Sequence, residues 1–336
     1  MRTRSRLLAI LPAAALLAAG CTAASDVGGD GEGITLSFAN SYPTSHPHTK
    51  CGIQAVADDI NSKDIGVTIE TFPNSQLGED TERFTSLMAG DVDMDVQGSS
   101  ALASSYAPIG VLDMAYAFDG PDHLFDFFDS AEAEQLKEDF AAKTGARILD
   151  VWFFGMRHFT ANQPIREPAD LQGPRMRFPD SPIYLENAKA LGAKATAVAF
   201  EEVYLGLQQG IIDGQENPIP TIADESFDEV QSHVSLTGHQ TGSQLIAISD
   251  ERWQEMSTEQ QEALQKSVSD TRAENRECIE EQEQKILDDW RANGGMTVVD
   301  DVDQDAFSQR AEDYFRENLS GKQAELYQAI RQSTSE

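Results

Sequence analysis

Hydrophobic and polar positions alternate in short blocks from Ile34 onward. ITLSFAN (34–40) reads as a strand, about Thr49 to Asn61 as a helix, and VTIETF (67–72) as a second strand. Glu79 to Met88 reads as a helix, and VDMDVQ (92–97) as a strand with Val92, Met94 and Val96 on one face. On that alternation Asp91, Asp93 and Asp95 belong to the exposed face. Repeated strand–helix–strand units predict an α/β fold with a mostly parallel sheet. The apolar run Gly110–Phe118 reads as a connecting strand, His123–Phe140 as a helix, and ARILDVWFF (146–154) as a strand that carries the chain to Arg157. GSQLIAIS (242–249) reads as a strand returning to the first half.

The longest helix follows, over 257–293. Ser257 with Gln260 offers a capping box, and Gly294-Gly295 ends the run. At 1.5 Å per residue it reaches roughly 50 Å, enough to lie along two lobes. The last segment, to about Gln332, reads as two helices. The pattern predicts lobe I from 34–154 plus 242–256, and lobe II from 155–241 plus 300–336.

Residues 1–20 have the pattern of a secretory signal: Arg2, Arg4 and Arg6, an apolar run Leu7–Ala19, then small residues before Cys21. The run is shorter than the roughly 20 residues a spanning helix needs. Cys21 is thereby expected to become a lipid-modified N-terminus anchoring the protein outside the cytoplasm, with 21–33 as a flexible tether. The alternative is an ordinary cleaved signal with Cys21 incidental. Cys51 and Cys278 then remain as an even pair in an oxidising compartment, either bridged or as two unrelated buried thiols.

Charge removes several functions. With 57 Asp and Glu against 25 Lys and Arg, the net charge is −32, which argues against nucleic acid and against a basic face on anionic lipid. A metal site is not expected: the six histidines are scattered, and no HExxH or CxxC spacing occurs. In the run Asp301, Asp303, Asp305, Ala306 stands where a calcium loop needs glycine. No GxSxG elbow and no ATP-binding motif is present, and no cofactor is implied.

Against this negative background stand Arg157, Arg177 and Asn217, each just after a short apolar segment. Open α/β sheets hold ligands at strand ends, and two guanidiniums with a carboxamide there would make an anion site. The wording around them resembles the substrate-binding subunit of tripartite ATP-independent periplasmic (TRAP) transporters, the DctP-type receptors. The matching text is FPNSQLGED (72–80), GMRHFTANQPIREPADLQGPRMRFPDSPIY (155–184), ALGAKATAVAFEEVYLGLQQGIIDGQENPI (190–219) and SLTGH (235–239).

The resemblance implies a two-lobed periplasmic-binding-protein-like fold braced by the long helix. It implies that Arg177 pairs with a ligand carboxylate, that Asn217 bonds the same group, and that Arg157 is a second basic contact. The alternative for Arg157 is a cleft ion pair with Glu216. Asn40, Gln97, Phe200 and His239 align with positions lining the cleft, where each could equally be a turn cap or core residue. Glu79 either accepts from ligand hydroxyls or merely starts its helix. The implied partners are a small organic acid, with a sugar acid slightly favoured, and the membrane subunits of a TRAP transporter, the receptor itself being a monomer. A secreted sugar-acid lyase or hydrolase, and a sensor ectodomain, are the rival readings.

Overall fold

A computed structural model describes residues 33–333. The expected signal segment, Cys21 and nearly all of the tether lie outside the described residues. Among the described residues nine strands form one sheet: β1 Ile34–Ala39, β2 Val67–Phe72, β3 Met94–Gln97, β4 Ala146–Ala161, β5 Arg175–Phe178, β6 Lys194–Ala197, β7 Gly214–Pro218, β8 His233–Ser249 and β9 Thr297–Val299. Their order is β2-β1-β3-β8-β4-β7-β5-β6, with β9 beside β8.

The parallel pairing expected from the strand–helix alternation occurs at both ends. β1 pairs in parallel with β2 and β3, and β5 with β6 and β7. What joins the ends is an antiparallel pair of long strands, the 16-residue β4 and 17-residue β8. β4 is buried along nearly all its length, the environment that a continuous apolar run such as ILDVWFF requires. The β4–β8 register shifts at Phe153/Gly155, a bulge where Gly155 has φ +111° and an added Cβ would lie 2.7 Å from Pro218 Cβ. Arg157 therefore sits inside a strand, just past a bend, and not at a strand end.

The long helix is Thr258–Asn293, and its Ser257/Gln260 capping box is formed. Its two halves fill different cores. Leu264 and Val268 pack with Leu36, Phe38, Val56 and Trp152 under the β1–β3 end. Leu287 and Trp290 pack with Val203, Ile212 and Ile222 under the other. Between them Asn275 Nδ2 donates to Pro47 O at 3.3 Å, and Cys278 is bonded to Cys51, with Cα atoms 6.5 Å apart.

That crosslink joins residues 227 positions apart. In the chain-entropy account, closing so long a loop removes on the order of 5 kcal/mol of unfolded-state freedom. Cys278→Ser is therefore expected to lower the unfolding free energy by about 2–5 kcal/mol in urea denaturation without ligand; a loss below about 1 kcal/mol would refute this.

Two elements differ from expectation. Gly110–Phe118 is not a strand: Ala107–Asp113 forms a 3-10 helix with Pro108 in its first turn, and Met114, Ala115 and Ala117 follow it into the core. A short apolar run without alternation carries no period to separate strand from helix. The expected helix 123–140 is two helices, Pro121–Phe128 and Ala131–Thr144. The second is capped by Ser130, whose hydroxyl accepts from Ala133 N at 3.2 Å.

Candidate functional site

Strand β5 brings Arg177 to the site. The residue is 3% exposed; its Nε donates to Val198 O at 2.9 Å, and among the described residues it forms no ion pair. Burial lowers its pKa to about 10, helped by repulsion from Arg157 and opposed by Glu216. It remains a cation at neutral pH, held in a place that disfavours its charge.

The guanidinium lines a pocket of about 170 Å³. One wall is Glu79 and Asp80, at the start of the helix Asp80–Ala89, with Ser100; the other is Asp180, Phe200 and Glu201 beyond β5 and β6. Hydrogen bonds join the two sides: Ser75 Oγ donates to Glu201 Oε1 (3.0 Å), Ser181 Oγ to Ser100 O (3.1 Å), and His46 Nε2 lies 3.1 Å from Thr221 Oγ1. A larger hollow of about 630 Å³ runs along the long helix. Its arginines are already paired, Arg272 with Asp129 and Asp150, and Arg276 with Asp122 and Glu280.

Arg157 is engaged elsewhere. Its Nε donates to Glu216 Oε2 at 2.5 Å and its Nη2 to Glu216 Oε1 at 2.8 Å, a two-point ion pair with both side chains buried. Burial works against the Arg157 charge, but the facing carboxylate more than offsets it, and the pKa moves up. Burial likewise opposes the Glu216 charge, yet Arg157 holds that carboxyl below its ordinary range. Of the two readings of Arg157, the structure displays the cleft ion pair.

His239 stands behind this pair. Its ring stacks on Phe159 at 4.4 Å, Nε2 is 3.3 Å from Glu216 Oε2, and Nδ1 is 2.8 Å from Thr237 Oγ1. Burial lowers its pKa, so the ring is neutral at pH 7. A carboxylate only accepts, so Nε2 carries the hydrogen and Nδ1 accepts from the Thr237 hydroxyl.

Residues 38–322 match the sequence model of a family described as bacterial extracellular solute-binding protein, family 7 (DctP). The chain belongs to the TRAP transporter solute-binding subunits of the DctP family. A solute-binding protein of Roseobacter denitrificans is 33% identical over 257 residues, 76% of this chain and 77% of that one. The 2,3-diketo-L-gulonate-binding periplasmic protein of Escherichia coli is 32% identical over 71% of this chain and 73% of that one. A crystal structure of a TRAP periplasmic solute-binding protein from R. denitrificans, with bound L-galactonate, superposes with a TM-score of 0.82 at 28% identity, covering 89% of this chain and 99% of that one. DctP-family members are extracytoplasmic receptors rather than enzymes.

In this TRAP receptor the other sequence candidates divide. Glu79 and Phe200 line the pocket with Arg177, and Glu79 also stands at the N-cap position of its helix. Asn217, on β7, donates Nδ2 to Gln215 Oε1 at 2.7 Å. The Asn40 amide is used within the loop after β1, accepting from Tyr42 N and donating to Thr49 Oγ1, both at 2.9 Å. Gln97 Nε2 donates to Asp80 O at 2.7 Å and to Asp95, so it supports the wall from behind.

Sequence reasoning missed Arg83. Its side chain is fully buried, with Nε bonded to both Asp95 oxygens (3.0 and 3.1 Å), Nη1 to Ser41 Oγ (3.0 Å) and Nη2 to Asp80 Oδ1 (3.0 Å). Asp95, expected on an exposed face, is 1% exposed. Burial raises its pKa to about 7 against the pull of Arg83. The available signal was charge complementarity between a helix and the strand after it: Arg83 follows Asp80 by three positions and precedes Asp95 by twelve.

Proposed function

We propose that this TRAP receptor captures a small organic acid, preferably a sugar acid, between the two ends of its sheet and delivers it to the membrane subunits of its transporter. Arg177 fixes the carboxylate. The single observation behind this reading is a guanidinium 3% exposed, with one backbone acceptor and, among the described residues, no carboxylate partner, open on a pocket between two walls. Such a fork binds a carboxylate through two parallel charge-assisted hydrogen bonds. Asn217 Nδ2 has a second hydrogen to offer beyond the one given to Gln215, and Phe200 supplies an apolar wall.

Residues 34–154 with 242–256 and 155–241 with 300–336 act as the two lobes, held by the long helix. Ligand bridging them favours the joined form that the membrane subunits read. Cys21 tethers the monomeric receptor by lipid.

The test is thermal stability across a panel of organic acids. An acid at 100 times its dissociation constant is expected to add about 2.7 kcal/mol, and NMR is expected to recover it chemically unchanged. Turnover of the acid would favour the lyase or hydrolase reading instead.

A further inference from the structure

We infer that the pocket selects an acid with a single carboxylate and rejects a second one, through a collar formed by Glu79, Asp80, Asp180 and Glu201. This rests on Arg177 being the carboxylate anchor. The pocket wall carries one guanidinium and four carboxylates. One fork satisfies one carboxylate. Arg157 does not line the pocket, and its Nε and Nη2 are given to Glu216, which balances its charge.

The collar carboxylates differ in how far they are committed. Asp80 is held by Arg83 Nη2 at 3.0 Å, and Glu201 accepts from Ser75 at 3.0 Å. Glu79 and Asp180 form no ion pair among the described residues, and both are exposed at the mouth. A ligand hydroxyl arriving there finds acceptors. A ligand carboxylate finds like charge and no second cation.

The neighbours of the wall share this bias toward acceptors. Gln97 spends its amide hydrogens on Asp80 O and Asp95, leaving Oε1 buried without a donor. Gln244 gives Nε2 to Tyr42 OH at 2.9 Å, and its Oε1 is also buried without a donor. Tyr42 in turn packs edge-on to Phe200 of the pocket, with ring centroids 6.1 Å apart.

Matched acids isolate the effect. Galactonate and galactarate share a six-carbon polyol chain and differ only in whether the far end is CH₂OH or carboxylate; erythronate and meso-tartrate make the four-carbon pair. Calorimetric titration of the mature protein at low ionic strength is expected to show each aldonate binding at least about tenfold tighter than its aldarate. The collar is exposed, so salt near 0.5 M is expected to shrink that gap. Glu79→Gln with Asp180→Asn is expected to shrink it as well, chiefly by tightening the aldarate. Both residues are solvent-facing, so the variant keeps its fold.

Equal binding of the paired acids, or a gap unmoved by the double variant, overturns the collar. So does failure of all four acids to bind. If equal binding of a pair is lost in Arg177→Ala, the anchor stands and only selectivity fails. If it survives Arg177→Ala, the anchor fails too.

Discussion

Arg177→Ala is expected to weaken binding of the cognate acid by about 10²–10³-fold while leaving the ligand-free protein as stable as before. Two charge-assisted hydrogen bonds go at once, at roughly 1.5–3 kcal/mol each. The ligand carboxylate is left desolvated without a cation, and removing one partner from a buried pair costs about 3–5 kcal/mol. At about 1.4 kcal/mol per tenfold, part of that total already gives the stated range.

Ligand-free stability behaves differently because Arg177 forms no ion pair among the described residues. Burial and the neighbouring Arg157 disfavour its charge, which is why its pKa falls to about 10. Removing it relieves that unfavourable charge but gives up the 2.9 Å bond from Nε to Val198 O, and the two effects offset. The expected result is an unshifted melting transition without ligand and no ligand-induced rise. Arg177→Lys, a point charge without the fork, is expected to recover a minor part of the affinity. A ligand-induced rise of full size in Arg177→Ala would move the anion to another place.

How much of this could be read from the residues depends on the range of the forces involved. Local signals were legible: the alternation in β1 and β2, and the Ser257/Gln260 capping box that opens the long helix. So was the family, because residue order around Arg177 carries its likeness. Long-range pairing was not. Nothing in ARILDVWFF or GSQLIAIS says that these strands run antiparallel to each other and merge two parallel halves into one sheet. Asp95 shows the same limit: valine–aspartate alternation argues for an outward face, until a helix brings Arg83 within 3.0 Å and turns exposure into burial.

Residue type alone was equally silent on Asn40 and His239. An asparagine that caps a loop and one that lines a cleft have the same donor and acceptor, and only the 2.9 Å contacts with Tyr42 and Thr49 show what this one holds. For Cys51 and Cys278 the count of cysteines allowed a bridge, but only Cα atoms 6.5 Å apart give it a geometry.

The pair that the sequence left open yields the second large effect. Glu216→Ala is expected to cost about 3–5 kcal/mol in unfolding free energy, since it leaves the guanidinium of Arg157, 4% exposed, beside Tyr184 and Phe154 without its ion-pair partner. His239 loses its acceptor in the same step. The aromatic rings 5.2 and 5.7 Å away soften the loss without replacing a carboxylate. Replacing both partners, as Arg157→Met with Glu216→Met, removes charge and counter-charge together and is expected to regain most of the stability, because a buried ion pair barely exceeds its own desolvation cost. Urea denaturation of Arg157→Met, Glu216→Met and the double variant gives the coupling directly, expected at about 2 kcal/mol or more. A coupling near zero would mean that Arg157 and Glu216 do not depend on each other, and that the wall behind the pocket is set by apolar packing alone.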